Sequence, residues 1–139
     1  MKIFLDANIL VSVLNKEYPL FPFSSRVLSL VDYPNQFKVY TSPLCLAIAF
    51  YFAAKKTGTE HAREKIHLLS HKINFTTVNE NTVAAVRKNK MILDIEDGLQ
   101  YYSAVESGCR CIITEDKDDF YFSDIEVLGS RRFLENYVF

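Results

Sequence analysis

No stretch of this 139-residue chain is apolar for long enough to cross a bilayer. The longest apolar run, residues 44–54, has only the length of a core helix. The first apolar run is broken by Asp6, so no secretory leader pattern is present. These absences exclude a membrane-spanning helix and lead to the expectation of a cytoplasmic protein. Cysteine is scarce. Cys45, Cys109 and Cys111 are odd in number and contain no CxxC pair, and they read as reduced, mostly buried thiols. Glycine is scarce too. With four glycines and no Gly-rich loop, a phosphate-cradling nucleotide fold is a poor match. Charge of one sign is also lacking. A formal net charge of -1 does not advertise bulk binding to a polyanion, so such a partner would need a local basic patch or a bound metal. Repeats, low-complexity stretches and linkers are missing, and residues 1–139 read as one domain.

What remains is an alternation of short apolar strands and helical patterns. Lys2 to Leu5 reads as a buried strand, and Ile9, Leu10, Val13 and Leu14 follow at helical spacing. Ser24 or Ser25 is placed to cap a second helix, which Pro34-Asn35 ends. Phe37 to Tyr40 reads as a strand. Ser42-Pro43 opens a long apolar helix that Gly58 breaks. Further helices are expected over 60–70, 80–88 and 94–107, and further strands over 74–78, 109–114 and 125–128. Ser130 is placed to cap a last helix. Strands alternating with helices imply an α/β fold, a three-layer α/β/α sandwich with a central parallel sheet covered on both faces.

In such a sheet, ligands sit at the carboxyl ends of the strands, where strand order reverses. Asp6 ends the first strand, and Asp116 and Asp119 follow the fourth. Asp97 falls in the first turn of the helix before that strand. Carboxylates gathered in one place repel one another unless a cation offsets the repulsion. Oxygen-only ligands select hard cations, so Mg²⁺ or Mn²⁺ is expected. Such an ion activates water and stabilises charge on a phosphodiester, and no histidine or lysine base is required.

The stretch Phe4-Leu5-Asp6-Ala7-Asn8 resembles the opening motif of PIN domains. Residues 97–104, an aspartate opening a helix of small residues, resemble their third motif. Residues 112–120, a strand followed by Thr114-Glu115-Asp116 and the Asp119-Phe120 pair, resemble their fourth. The resemblance runs in order through nearly the whole chain. It implies a metal-dependent ribonuclease of the kind found as VapC toxins, with RNA as substrate, an antitoxin protein as partner and a homodimer as the assembly. It also implies Asp6, Asp97 and Asp116 as metal ligands. Asp119 then stands beside them in the catalytic group, with Thr114 and Asn8 in support. One departure stands out. The family's second motif carries a glutamate after the second strand, and here that position falls on Ile48, with no Asp or Glu between Asp32 and Glu60. Glu96 is a poor substitute, because a neighbour of Asp97 points about 100° around the helix.

Each residue also has a plainer reading. Asp6, Asn8 and Asp94 are good helix caps, and Asp116, Asp118 and Asp119 suit a turn. His67 and His71 have zinc-pair spacing but no third ligand, so an exposed helix face is expected. Arg87-Lys88-Asn89-Lys90 complements a helix C-terminus, with RNA contact as the sharper reading. Phe50, Tyr51 and Phe52 cannot all face one core, which leaves one for a partner surface or a neighbouring helix. The rival function is a non-catalytic PIN-like module that binds RNA or protein, favoured by Ile48. A phosphate-handling enzyme of another acidic α/β fold is weaker, since Asn8 stands where an Asp-x-Asp motif needs its second acid.

Overall fold

The first strand, β1 (Lys2–Leu5), buries Ile3, Phe4 and Leu5 completely. Successive strand residues point to opposite faces, so full burial of all three requires cover on both sides. The computed structural model describes residues 1–139. After β1 come α1 (Ala7–Leu14), α2 (Phe21–Leu28), a 3-10 turn at Ser29–Asp32 and β2 (Lys38–Thr41). Then follow α3 (Pro43–Thr57), α4 (Thr59–Ser70), β3 (Asn74–Phe75), α5 (Glu80–Lys88) and α6 (Ile95–Glu106). The chain continues with β4 (Cys111–Ile113), a 3-10 turn at Lys117–Phe120, β5 (Glu126–Leu128) and α7 (Ser130–Tyr137).

All five strands are parallel, in the order β3-β2-β1-β4-β5. The chain builds outward from β1 through β2 to β3, then returns to the other side of β1 as β4. Strand order therefore reverses between β1 and β4, where Ile3, Phe4 and Leu5 align with Cys111, Ile112 and Ile113. Right-handed crossovers place α1 to α4 on one face and α5 and α6 on the other. The packing agrees: α1 contacts α2 and α3, α2 contacts α7, and α5 contacts α6. The expected three-layer sandwich is what forms. No helix is long and apolar enough to cross a membrane. All three cysteines are free and buried.

Several local expectations need correction. The second helix starts at Phe21, ahead of both serines, because Pro22 in the first turn loses no hydrogen bond there. Ser24 is instead inside the helix, with its Oγ 2.7 Å from Ser12 Oγ. The third strand stops at Phe75 rather than Val78, since Thr76 turns its hydroxyl to Ser103 Oγ at 3.0 Å. Cys109 lies ahead of β4, not on it. Ser130 does not cap the last helix. It is the first helical residue, and both its N–H and its hydroxyl donate to Glu115 Oε1, at 2.9 and 2.6 Å.

Gly98 packs closely against Val86 of α5 and against Ile92, which lies between α5 and α6. A Cβ there would sit 2.8 Å from Ile92 Cγ2 and 2.9 Å from Val86 Cγ1. Gly98→Ala is expected to lower stability by about 1–3 kcal/mol through overpacking, measured by chemical denaturation. Helix propensity alone predicts the opposite sign, a gain of about 1 kcal/mol. A raised denaturation midpoint would therefore refute the close-packing argument.

Candidate active site

The backbone ladder of β1 and β4 continues one residue past the strands, with Asp6 N–H donating to the Ile113 carbonyl at 3.0 Å. This sets Asp6 beside Thr114. The Thr114 hydroxyl donates to Asp6 Oδ2 at 2.8 Å and accepts from the Asp116 N–H at 3.0 Å. Asn8 completes the bridge. Its amide nitrogen reaches Thr114 Oγ1 at 2.9 Å and Asp116 Oδ2 at 3.2 Å, while its carbonyl oxygen accepts from Glu115 N–H at 3.2 Å. Two carboxylates at opposite ends of the sequence are thereby held side by side.

Asp6 is also the N-cap of α1, accepting from Ala7 N–H at 2.7 Å. The capping reading and the functional reading thus coexist in one side chain, because a carboxylate has two oxygens. The Cys45 thiol of α3 approaches Asp6 Oδ1 at 3.7 Å. Burial and the Asp6 charge push that thiol up to about 12, so it stays protonated and donates. Ser42 caps α3 as expected, accepting from Cys45 N–H at 3.0 Å, and its hydroxyl in turn donates to Gln100 of α6. The start of α3 is therefore tied to both Asp6 and α6.

Asp97 comes from the first turn of α6, where Asp94 is the cap, accepting from Glu96 N–H at 2.9 Å. Asp6, Asp97, Asp116 and Asp119 all line one open cleft of about 370 Å³ at the β1–β4 switch point. Thr114 is fully buried beneath it. Ile48 faces the same space, at the place expected for the missing glutamate. Glu96 also reaches the cleft. It lines the cleft together with Asp97, because the cleft wraps around the exposed end of α6 and receives adjacent positions of its first turn. Glu17 also lines the cleft and was not foreseen. It follows Lys16, whose φ of 49° closes α1 in a left-handed turn. The bonds Lys16 N–H to Val13 O at 3.3 Å and Glu17 N–H to Ser12 O at 2.9 Å form a Schellman motif. Without a glycine at that turn, no sequence signal marks it.

Six carboxylates and no Lys, Arg or His line the cleft. Their ionisation reflects that imbalance. Burial raises Asp97 to about 7, and the charges of Asp94, Asp119, Asp6 and Glu96 push the same way. Burial raises Asp6 as well, opposed by the bonds from Thr114, Ala7 and Cys45 and reinforced by Asp116. Asp119 and Glu96 are raised by desolvation and by neighbouring carboxylates. Such a site stabilises positive charge. No three acidic, His or Cys side chains are gathered tightly enough to cage an ion unaided. The donor set suits a hard cation that keeps part of its water shell, as Mg²⁺ does when one or two carboxylates hold it. His67, on an exposed face of α4, and His71, at its C-cap, lie elsewhere, with their Nε2 atoms 3.3 Å apart.

Comparison with known proteins agrees with this geometry. A family model described as PIN domain matches residues 2–118. Ribonuclease VapC1 of Aquifex aeolicus (strain VF5) is 29% identical over 140 residues, covering 98% of this chain and 95% of the relative. VapBC2 from Rickettsia felis, solved bound to a DNA fragment from their promoter, superposes with a TM-score of 0.70 at 16% identity, covering 93% of this chain and 98% of that one. VapBC-1 from nontypeable Haemophilus influenzae gives a TM-score of 0.69 at 18% identity, covering 94% and 99%. Mycobacterium tuberculosis VapC20, a sarcin-ricin loop cleaving toxin, gives 0.68 at 16% identity, covering 90% and 98%. The switch-point aspartates, the parallel sheet and the match over residues 2–118 identify this chain as a member of the PIN domain family.

Proposed function

We propose that this protein is a divalent-metal-dependent endoribonuclease and the toxin of a toxin–antitoxin pair. The observation that carries the reading is the convergence of Asp6, Asp97, Asp116 and Asp119 on one cleft free of basic side chains. Asp6, Asp97 and Asp116 would hold one Mg²⁺ or Mn²⁺ between them, in part through the ion's own water shell. When bound, that ion supplies charge stabilisation at the phosphodiester and lowers the pKa of water. Asp119 sits at the exposed edge of the cleft, beside the other carboxylates. Thr114 and Asn8 fix the orientation of Asp6 and Asp116 through the bonds between them. Ribonuclease VapC1, 29% identical over nearly the full length of both chains, supports RNA as substrate. The likeness to VapBC structures supports an antitoxin partner, and the family resemblance supports a homodimer. A second reading, a non-catalytic module, draws on Ile48 standing in the cleft where the family has a glutamate.

Calorimetry separates the two. Wild type should bind Mn²⁺, and the double variant Asp6→Asn, Asp97→Asn should bind it more than about 10-fold more weakly and lose RNA cleavage. Silence of the wild type at millimolar Mn²⁺ would leave the non-catalytic module as the better account. Ile48→Glu restores a carboxylate to the cleft and should tighten Mn²⁺ binding by about 10-fold, since affinity for hard cations follows ligand charge. Unchanged affinity would mean that position 48 does not address the ion.

The sign of the pH dependence follows from Asp97. Its carboxyl is raised from 3.8 to about 7, so the folded state binds a proton that the unfolded state releases between those values. The contribution of this group to stability therefore falls as pH rises through that window. In metal-free buffer, the melting temperature of wild type relative to Asp97→Asn should fall from about pH 5 to about pH 8. Added Mn²⁺ should recover it at the upper end. A flat difference between the two melting curves would contradict the burial and repulsion assigned to Asp97.

A further inference from the structure

The cleft has a second wall that the carboxylates do not explain. Val11, Ile48 and Phe52 face the same space as Asp6 and Asp97. On α3, Ile48, Tyr51, Phe52 and Lys55 are spaced three or four apart and share one stripe. Core packing accounts in part for Ile48, which rests half-buried against the core, but not for the rest of that stripe. The residues α3 buries are Cys45, Ala49 and Ala53, all small and fully enclosed. Tyr51 and Phe52 remain 54% and 45% exposed. Their rings meet edge to face with centroids 5.3 Å apart, and Lys55 Nζ lies 4.8 Å from the centre of the Tyr51 ring. Lys56, the next cation, is engaged with the Asn15 carbonyl and is not part of the stripe.

A cleft with one acidic and one apolar wall fits a ligand that is apolar on a flat face and anionic at one end. A nucleotide has that form, with its phosphate drawn to a cation held by the carboxylates. We infer that Ile48 and Phe52 form a stacking wall for a nucleobase of single-stranded RNA, with Tyr51 bracing the Phe52 ring and Lys55 facing a neighbouring phosphate. This rests on the ribonuclease reading and adds the residues that would receive the base, which must be unpaired, since only an unstacked base exposes its face to a side chain. Stacking is tolerant of base identity, so the wall selects single strands more than sequence. It also accounts for Ile48. A carboxylate there would break the apolar surface on which the base lies.

The chain contains no tryptophan, so Phe52→Trp introduces a sole indole reporter. The probe is a short unstructured RNA carrying a fluorophore, in Ca²⁺ to hold turnover in check, with Mn²⁺ calorimetry run in parallel. Phe52→Ala and Phe52→Leu should each weaken RNA binding by about 10- to 100-fold, the leucine because it keeps apolar bulk but no ring. Both should leave Mn²⁺ affinity unchanged. The emission of Phe52→Trp should be quenched as RNA binds. Because Phe52 is half exposed, these changes leave the core intact. RNA affinity unaltered in the Ala and Leu variants, with indole emission indifferent to bound RNA, would overturn the stacking wall while metal binding and cleavage still supported the nuclease. Unaltered RNA affinity with a changed sedimentation coefficient in Phe52→Ala would overturn it in favour of a second copy of the chain as occupant. A wild type that binds neither Mn²⁺ nor RNA would remove both the wall and the reading beneath it.

Discussion

The pairing of β1 with β4 governs the arrangement of the cleft. It is a backbone interaction, indifferent to the chemistry it positions, yet its register decides which side chains meet. Leu5 aligns with Ile113, and one residue further Asp6 meets Thr114. A slip of one residue would draw either Asp6 or Lys2 into the span now filled by Ile3, Phe4 and Leu5, burying a charge in the core. Burial of Ile3, Phe4, Leu5, Ile112 and Ile113 therefore fixes the register, and the register fixes the site. The repulsion between Asp6 and Asp116 is then borne locally. The Thr114 hydroxyl and the Asn8 amide donate into the gap, and hydrogen bonds to charged groups contribute about 1.5–3 kcal/mol each.

The alternation of strands and helices was legible in the sequence because central parallel strands are apolar throughout and helix ends carry their own signals. Ser42-Pro43 and Asp94 are such signals, and both act as read. The four cleft aspartates were legible through the order of their motifs, which ties each to the end of a strand or the start of a helix. Other residues carried no local mark. Glu17 reaches the cleft through a left-handed Lys16, where a glycine would have given the turn away. Glu96 reaches the cleft although it stands about 100° from Asp97 around the helix, because the cleft wraps around the helix end. Ser130 looked like a cap because serine prefers that role, but Glu115, far away in sequence, takes it instead. Phe52 was ambiguous because α3 is apolar on nearly every side, and only its packing shows that the small residues face inward.

Opposed walls give the cleft a dependence that neither has alone. With six carboxylates and no basic side chain, it repels a phosphodiester until a cation enters. The apolar wall is indifferent to charge and attracts a base whether or not metal is present. Metal and nucleic acid thus act on different surfaces of one cavity, and the first must arrive for the second to seat its phosphate. The raised Asp97 carboxyl belongs to the same balance, since a proton and a metal ion relieve the same repulsion.

The contact between Glu115 and Ser130 has a bearing on how the protein is made. Glu115 begins the turn that carries Asp116 and Asp119, and its carboxylate is held by the start of α7. A chain emerging from the ribosome presents Asp6 well before α7. Until the last helix is out, the acidic turn lacks its anchor and β4 lacks β5 as a neighbour. A nascent chain therefore carries Asp6 well before Asp97, Asp116 and the anchor at α7 exist to complete the cleft.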